Sequence, residues 1–236
     1  GNMAIGATHA KHGTAFASKI NAAIAEQLQV LGVNVNFAPT VDVNVNPLNP
    51  VINVRAYGES AEMVSEMGQS AVAALQQRGV IAAMKHFPGH GDTHVDSHTG
   101  LPVVEHSLEQ IEQVDLLPFA QAIAAGDHRA PAMIMTAHIQ YPALDDTEFL
   151  TTSGETTVLP ATMSKKILTD LLRNDLQYKG VIVTDALDMA GIAHYMDETQ
   201  ALLTTFAAGA DIALMPHTLR TPADITAYNQ MITEVK

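Results

Sequence analysis

One segment of the chain concentrates residue types that hold charge and transfer protons. It spans residues 85–98, with the sequence KHFPGHGDTHVDSH, and follows the apolar run 80–84, which is typical of a buried strand. Constraining so many ionisable groups costs free energy unless they are paired or take part in chemistry. We therefore interpret residues 85–98 as an active-site loop.

The loop supports three chemical interpretations. Asp92, His94, Asp96 and His98 alternate along the chain, so an extended backbone would place four possible metal ligands on one side. For His90 and His94, a solvated loop with structural hydrogen bonds is an equal alternative. In the third interpretation the Asp96 carboxylate orients the His98 ring and raises its pKa, which makes the imidazole a proton donor near neutral pH.

A single carboxylate stands at the end of another apolar run. Asp185 follows residues 180–184 and precedes Ala186, Leu187 and Asp188. A carboxylate at a strand end can serve as a nucleophile, a base or a metal ligand. The alternative is a helix N-cap, a role that suits Asp188 better, and we expect Asp188 to be structural.

Three cationic or ionisable side chains could hold a polar substrate. Lys85 and His86 follow the apolar run 80–84, and Arg55 lies in the Asn- and Pro-rich stretch 42–55. Such groups bind hydroxyls or an anionic group of a ligand. The alternative for Arg55 is a surface ion pair with Glu59, which would contribute little stability.

Helices and strands alternate along the chain, and they must position these groups. The predicted helices are 8–30, 61–77, 108–125, 161–176, 198–208 and one starting near 222, and the predicted strands are 33–38, 80–84, 132–136, 181–184 and 212–215. Ser164 or Thr162 could cap the fourth helix. Residues 42–55 form a long loop, which is usually functional, and residues 145–160 form a surface loop.

The strand pattern indicates the fold. Continuous apolar strands are typical of parallel strands covered on both faces. Polar residues follow every predicted strand, which favours a TIM-type barrel over an open sheet with a single ligand crevice. Five strands are predicted where such a barrel has eight. We expect an α/β chain forming one catalytic domain over residues 1–236, a TIM-type (β/α)8 barrel that is N-terminally truncated and lacks its first strands.

Composition restricts the partners. The chain of 236 residues has 12 Lys and Arg against 25 Asp and Glu, a formal net charge of −13. This balance disfavours nucleic acid and anionic membrane surfaces, and no apolar run reaches membrane-spanning length. Cysteine is absent from the sequence, which excludes disulfides and thiolate chemistry. Uncharged polymers and small molecules remain as partners.

The active-site loop carries a resemblance to a known family. KHFPGHGDT at 85–93 followed by DSH at 96–98 closely resembles the signature of glycoside hydrolase family 3, in its β-N-acetylglucosaminidase branch. Further similar segments fall in the family's order, namely NFAPTVDV at 36–43, NPVI at 49–52, RAYG at 55–58, MTAH at 135–138, VTDAL at 183–187, AGAD at 208–211 and LMP at 214–216.

The resemblance implies a barrel and a retaining mechanism acting on N-acetylglucosaminides from peptidoglycan fragments or chitooligosaccharides. Asp185 matches the family's nucleophile, which forms a covalent glycosyl-enzyme. His98, paired with Asp96, matches its acid/base, in place of the carboxylic acid of most glycosidases. The positions that match its sugar-binding residues are Arg55, Lys85 and His86. The resemblance implies no metal and no organic cofactor.

Other functions stay open at this stage. A β-N-acetylglucosaminide phosphorylase would use phosphate in place of water, and a β-glucosidase of the same family would take a different sugar. A metal-dependent hydrolase or a sugar-binding barrel without catalysis are the remaining alternatives. The family has an N-terminal portion, with an Asp that contacts the sugar, ahead of the segment that opens this chain. Peptidoglycan recycling would place the protein in the cytoplasm, whereas polymer scavenging would place it outside the cell.

Overall fold

A computed structural model describes residues 1–97 and 100–236. Its strands are β1 (Val35–Asn36), β2 (Ile81–Phe87), β3 (Met133–Thr136), β4 (Glu148–Leu150), β5 (Thr156–Val158) and β6 (Val181–Thr184). Its helices are α1 (Asn2–Gly6), α2 (His9–His12), α3 (Ala15–Val30), α4 (Ala61–Gln76), α5 (Leu108–Gln110), α6 (Leu117–Ala125), α7 (Ala190–Ala193), α8 (Glu198–Ala208) and α9 (Pro222–Val235). The described residues also form two π-helical segments, Ile111–Asp115 and Lys166–Asp175. They form three short 3₁₀ turns as well: Asn53–Arg55, Asp127–Arg129 and Ala161–Met163.

The central sheet is parallel, and its strands lie side by side in chain order. The order is β1–β2–β3–β6, and every neighbouring pair is parallel. Ile212 extends the series through a parallel bridge to Val183. This sequential order is that of a barrel wall, whereas a doubly wound sheet reverses direction at a switch point.

Side chains from the strands alternate between two apolar layers. Met84, Ile134 and Ile182 belong to the large core that also includes buried residues of α4 and α6. Met133 and Val183 belong to a separate small cluster on the opposite face of the sheet. Because both faces are covered, the strands are apolar without alternation, which is why the continuous runs in the sequence predicted them correctly.

Local signals in the sequence fix several helix ends. Ser60 caps α4 by accepting from Met63 N at 3.4 Å, and Asp197 caps α8 by accepting from Gln200 N at 3.0 Å. α9 starts with a capping box between Thr221 and Asp224. In each case a side-chain oxygen satisfies a backbone N–H that has no partner inside the helix.

Several predicted elements differ from the structure. The predicted helix 8–30 is interrupted at Gly13, and π-helical segments occupy parts of 108–125 and 161–176. Ser164 does accept from Ile167 N, at 3.1 Å, so this predicted cap is confirmed. The predicted strand 212–215 is reduced to the bridge at Ile212. Residues 145–160 contain the antiparallel hairpin β4–β5, which the sequence reasoning missed.

The role predicted for Asp188 at the start of a helix, as its cap or in its first turn, was wrong. The helix that follows it, α7, has Met189 at its N-cap and no side-chain cap. Asp188 is exposed and lies one position before Met189 in the chain.

Within the described residues, no helix is long and apolar enough to cross a bilayer.

Candidate active site

A buried carboxylate, Asp42, organises one side of the candidate site. It lies beyond β1 and accepts hydrogen bonds from His86 N at 3.1 Å, His86 Nδ1 at 2.8 Å and His90 N at 2.8 Å. Burial alone would raise the pKa of Asp42, but the His86 ring and the N–H groups outweigh it and hold the pKa below its ordinary value. Asp42 therefore stays ionised and fixes the backbone and ring of His86.

Lys85 and His86 lie at the C-terminal end of β2, where the strand is irregular. The register with β3 shifts between Lys85 and Phe87. Consecutive side chains of a regular strand point to opposite faces, yet both Lys85 and His86 interact electrostatically with Asp185. The irregularity brings two consecutive side chains within electrostatic range of the same carboxylate.

Asp185 is half-buried directly after β6. Its Oδ1 accepts from Ala186 N at 2.8 Å, so the carboxylate is tied to its own loop. Burial would raise its pKa, but His86, His138 and Lys85 together hold the pKa of Asp185 below its usual range. An ionised carboxylate beside several positive or polarisable groups has the protonation state that a nucleophile needs.

The cationic side chains converge on the same place. Burial, together with the neighbouring Arg55 guanidinium, lowers the pKa of Lys85, and the carboxylates of Asp185 and Asp42 oppose that shift. Arg55 ends the turn Asn53–Arg55 and donates to the carbonyl of Val51 at 3.2 Å. The ion pairs found among residues 1–97 and 100–236 do not include the alternative pair between Arg55 and Glu59.

Two histidines of the loop have structural partners. His90 is buried, with Nδ1 2.7 Å from Thr93 Oγ1 and Nε2 3.2 Å from Ser97 Oγ. Burial and the nearby His86 lower the pKa of His90 to about 4, so its ring is neutral near pH 7. His94 Nδ1 lies 3.2 Å from the Asn46 side-chain amide. The structural alternative for these two histidines agrees with these contacts.

Close backbone contacts hold the loop against the rest of the site. A Cβ at Gly91 would lie 1.7 Å from the carbonyl oxygen of Val43, and a Cβ at Gly191 would lie 2.7 Å from that of Ser97. Gly191 N donates to this same Ser97 oxygen at 3.0 Å. The loop that follows β2 is therefore joined to the segment that follows Asp185.

The predicted proton-transfer pair is described only in part. Asp96 is half-buried, and its carbonyl accepts from Gly100 N at 3.0 Å. His98 lies outside the described residues, so the pairing of Asp96 with His98 stays a prediction.

The described residues give the metal interpretation no geometric support. Asp92 Oδ2 lies 2.9 Å from His106 Nε2, and His94 contacts Asn46. Across residues 1–97 and 100–236, no group of three imidazoles and carboxylates is arranged to hold a metal ion. Asp92 and His94 therefore have separate side-chain partners, and His98 lies outside the described residues.

A comparison with known families decides the assignment. The profile of the "Glycosyl hydrolase family 3 N terminal domain" matches residues 1–236. The chain belongs to this family. Its fold is thus the family's TIM-type barrel, in agreement with the parallel strands β1–β2–β3–β6 in chain order.

Several proteins of known name or structure are similar to the chain. The chain is 55% identical to "Beta-hexosaminidase A" of Pseudoalteromonas piscicida, over 100% of the chain and 39% of that protein. It is 34% identical to "Beta-N-acetylglucosaminidase/beta-glucosidase" of Cellulomonas fimi, over 92% of the chain and 37% of that protein. A family 3 β-N-acetylglucosaminidase structure from Paenibacillus sp. str. FPU-7 superposes with a TM-score of 0.82 and 36% identity, over 99% of the chain and 45% of that structure. The family 3 chain thus spans less than half the length of these relatives.

Sequence reasoning about the family 3 chain missed two residues of the site. Asp42 was part of the similar segment 36–43, and its position after a predicted strand was the available signal. His138 also follows a predicted strand, and its Nε2 lies 2.8 Å from the carbonyl of Ala186 while Nδ1 lies 3.0 Å from Thr162 Oγ1. Since a carbonyl only accepts, Nε2 carries a proton, and the ring is held beside the Asp185 loop.

Proposed function

We propose that the protein is a retaining β-N-acetylhexosaminidase that removes non-reducing terminal N-acetylglucosamine. The observation that carries the proposal is the position of ionised Asp185 beside Lys85, His86 and His138 at the C-terminal edge of the sheet. Substrates of this class are peptidoglycan fragments or chitooligosaccharides. The domain assignment, one catalytic barrel domain over residues 1–236, is part of the same proposal.

The nucleophilic step follows from the environment of Asp185. Its carboxylate attacks the anomeric carbon while the glycosidic oxygen leaves, which forms a covalent glycosyl-enzyme. The lowered pKa keeps the attacking group ionised without a separate base. The hydrogen bond from Ala186 N to Oδ1 leaves Oδ2 as the oxygen for attack.

Proton transfer in both steps is assigned to His98 and Asp96. His98 protonates the leaving oxygen in the first step and deprotonates the incoming water in the second, and Asp96 stabilises the imidazolium. Water attacks the anomeric carbon from the side that the leaving group vacated, so the configuration is retained after two inversions.

Sugar binding is assigned to Arg55, Lys85 and His86. Asp42 accepts from His86 Nδ1 at 2.8 Å, and a carboxylate accepts only, so Nδ1 carries a proton. His86 Nε2 then faces a sugar hydroxyl, and Lys85 and Arg55 donate to others. The buried Asp42 carboxylate holds the His86 ring, which reduces the entropy lost when the sugar binds.

Hydrolysis of matched aryl glycosides by the full-length protein tests the proposal. We expect turnover of nitrophenyl β-N-acetylglucosaminide to exceed that of the β-glucoside, with β-N-acetylglucosamine as the first product seen by proton NMR. An α-anomer as first product would contradict retention, and preference for the glucoside would contradict the substrate assignment. Phosphate-dependent release of a sugar 1-phosphate would identify a phosphorylase instead.

A further inference from the structure

A second cluster of ionisable groups lies beside the loop and has no part in the mechanism above. His106 stands between two carboxylates, with Nε2 2.9 Å from Asp92 Oδ2 and Nδ1 2.7 Å from Asp115 Oδ2. The side chain of Asp115 is almost fully buried, and that of His106 is 12% exposed. Both ring nitrogens of one histidine are therefore engaged by carboxylate oxygens.

This geometry fixes how many protons His106, Asp92 and Asp115 hold together. A neutral imidazole has one N–H, and an ionised carboxylate can only accept. Two hydrogen bonds to two carboxylates thus need one more proton on the trio, on His106 or on Asp115. The hydrogen bond to Asp115 raises the pKa of His106, and burial raises the pKa of Asp115, so both shifts favour keeping that proton.

The two carboxylates belong to different parts of the fold. Asp92 lies in the loop, four residues before Asp96. Asp115 ends the π-helical segment Ile111–Asp115 and packs under the start of the loop, since a Cβ at Gly89 would lie 2.9 Å from its Cβ. Tyr141, which follows β3 in the chain, donates from its OH to the carbonyl of Gly89 at 2.6 Å. Gly89 is therefore held by Tyr141 as well as contacted by Asp115.

We propose that His106 is a positioning residue that joins Asp92 to Asp115 and thereby fixes the loop carrying Asp96 and His98. The kinetic consequence of this role rests on the proposed function, whereas the contacts of His106 do not. Among the described residues, the other titratable groups near this trio are His94 and Glu105, which line the same cavity, and Asp42 and Tyr141, which interact with Asp115. Loss of the shared proton at high pH leaves one carboxylate facing a ring nitrogen without a hydrogen, so the attachment weakens as pH rises.

The variant His106→Gln in the full-length protein tests the inference, because a glutamine amide cannot donate to both carboxylates in the same way. Hydrogen exchange should become faster at the amides of residues 92–97. Turnover of an aryl N-acetylglucosaminide with a poor leaving group should fall about tenfold or more, and that of the nitrophenyl substrate only about twofold, since misplaced proton donors affect poor leaving groups most.

His9→Gln is the matched control. His9 Nε2 pairs with Glu66 Oε2 at 2.7 Å outside the site, so its loss should leave both the loop exchange and the leaving-group dependence unchanged. Equal losses on the two substrates in His106→Gln, or unchanged exchange at 92–97, would overturn the inference. A wild-type protein inactive on both substrates would refute the proposed function, while the exchange measurement would still decide the role of His106.

Discussion

The variant Asp42→Asn should weaken both the fold and sugar binding. The substitution keeps the shape of the side chain and removes the charge from the three contacts to His86 and His90. The amide oxygen can still accept from both backbone N–H groups. The amide nitrogen then faces His86 Nδ1–H, so two donors meet where a donor met a carboxylate.

The contacts set the size of the effect. Removing one partner of a buried charged pair costs about 3–5 kcal/mol, and a change of His86 tautomer recovers about 1 kcal/mol by restoring one neutral hydrogen bond. We expect a loss of about 3 kcal/mol, which corresponds to a fall in Tm of about 6–12 °C for a domain of this size. The KM for an aryl N-acetylglucosaminide should rise, because His86 loses the group that orients its ring.

Asp145→Asn serves as the matched control. Asp145 is buried and accepts from Thr147 N at 3.0 Å, Thr147 Oγ1 at 2.6 Å and Ser164 Oγ at 2.5 Å, away from the site. Thermal unfolding and steady-state kinetics of the full-length variants compare the two. Asp145→Asn should lower Tm with KM unchanged. A Tm for Asp42→Asn within a degree or two of wild type, with KM unchanged, would refute the assigned role of Asp42.

Three further predictions concern single residues. Asp185→Asn should abolish turnover of the nitrophenyl substrate with the fold retained by circular dichroism, and a near-normal rate would contradict the nucleophile assignment. His98→Ala should impair sugar leaving groups more than the nitrophenyl group, and equal losses would argue against proton donation. The pKa of His90 falls from 6.5 to about 4 on folding, so its contribution to stability is complete above pH 6.5 and disappears as pH falls toward 4. The free energy of unfolding in urea should therefore vary less with pH over that window for His90→Asn than for the wild-type protein.

The sequence predicted the barrel wall because its strands are covered on both faces. Met84, Ile134 and Ile182 contact one layer, whereas Met133 and Val183 contact the other, and this arrangement requires continuous apolar runs. The hairpin β4–β5 was missed because its residues are partly or fully exposed, so no apolar pattern marks it. Thr-rich segments of this kind are stabilised by pairing, which a single-sequence pattern does not show.

The site was predicted where a side chain follows a strand directly. Asp185 follows β6 directly, Lys85 and His86 follow the predicted strand 80–84, and the fold brings the three together. The role of Asp42 could not be predicted, because it depends on a partner 44 residues away in the chain. The same holds for His106, whose two carboxylates come from either side of it in sequence and meet only in the folded chain.

The hydrogen bond from Gly191 N to the carbonyl of Ser97 has a consequence for engineering the protein. It joins main chain to main chain, so side chains near it can be exchanged without loss of the contact, provided that position 191 remains glycine. The loop after β2 and the segment after β6 therefore form one transferable unit. If a chimaera takes either segment from a relative in which the two are spaced differently, it should take the other segment from the same relative.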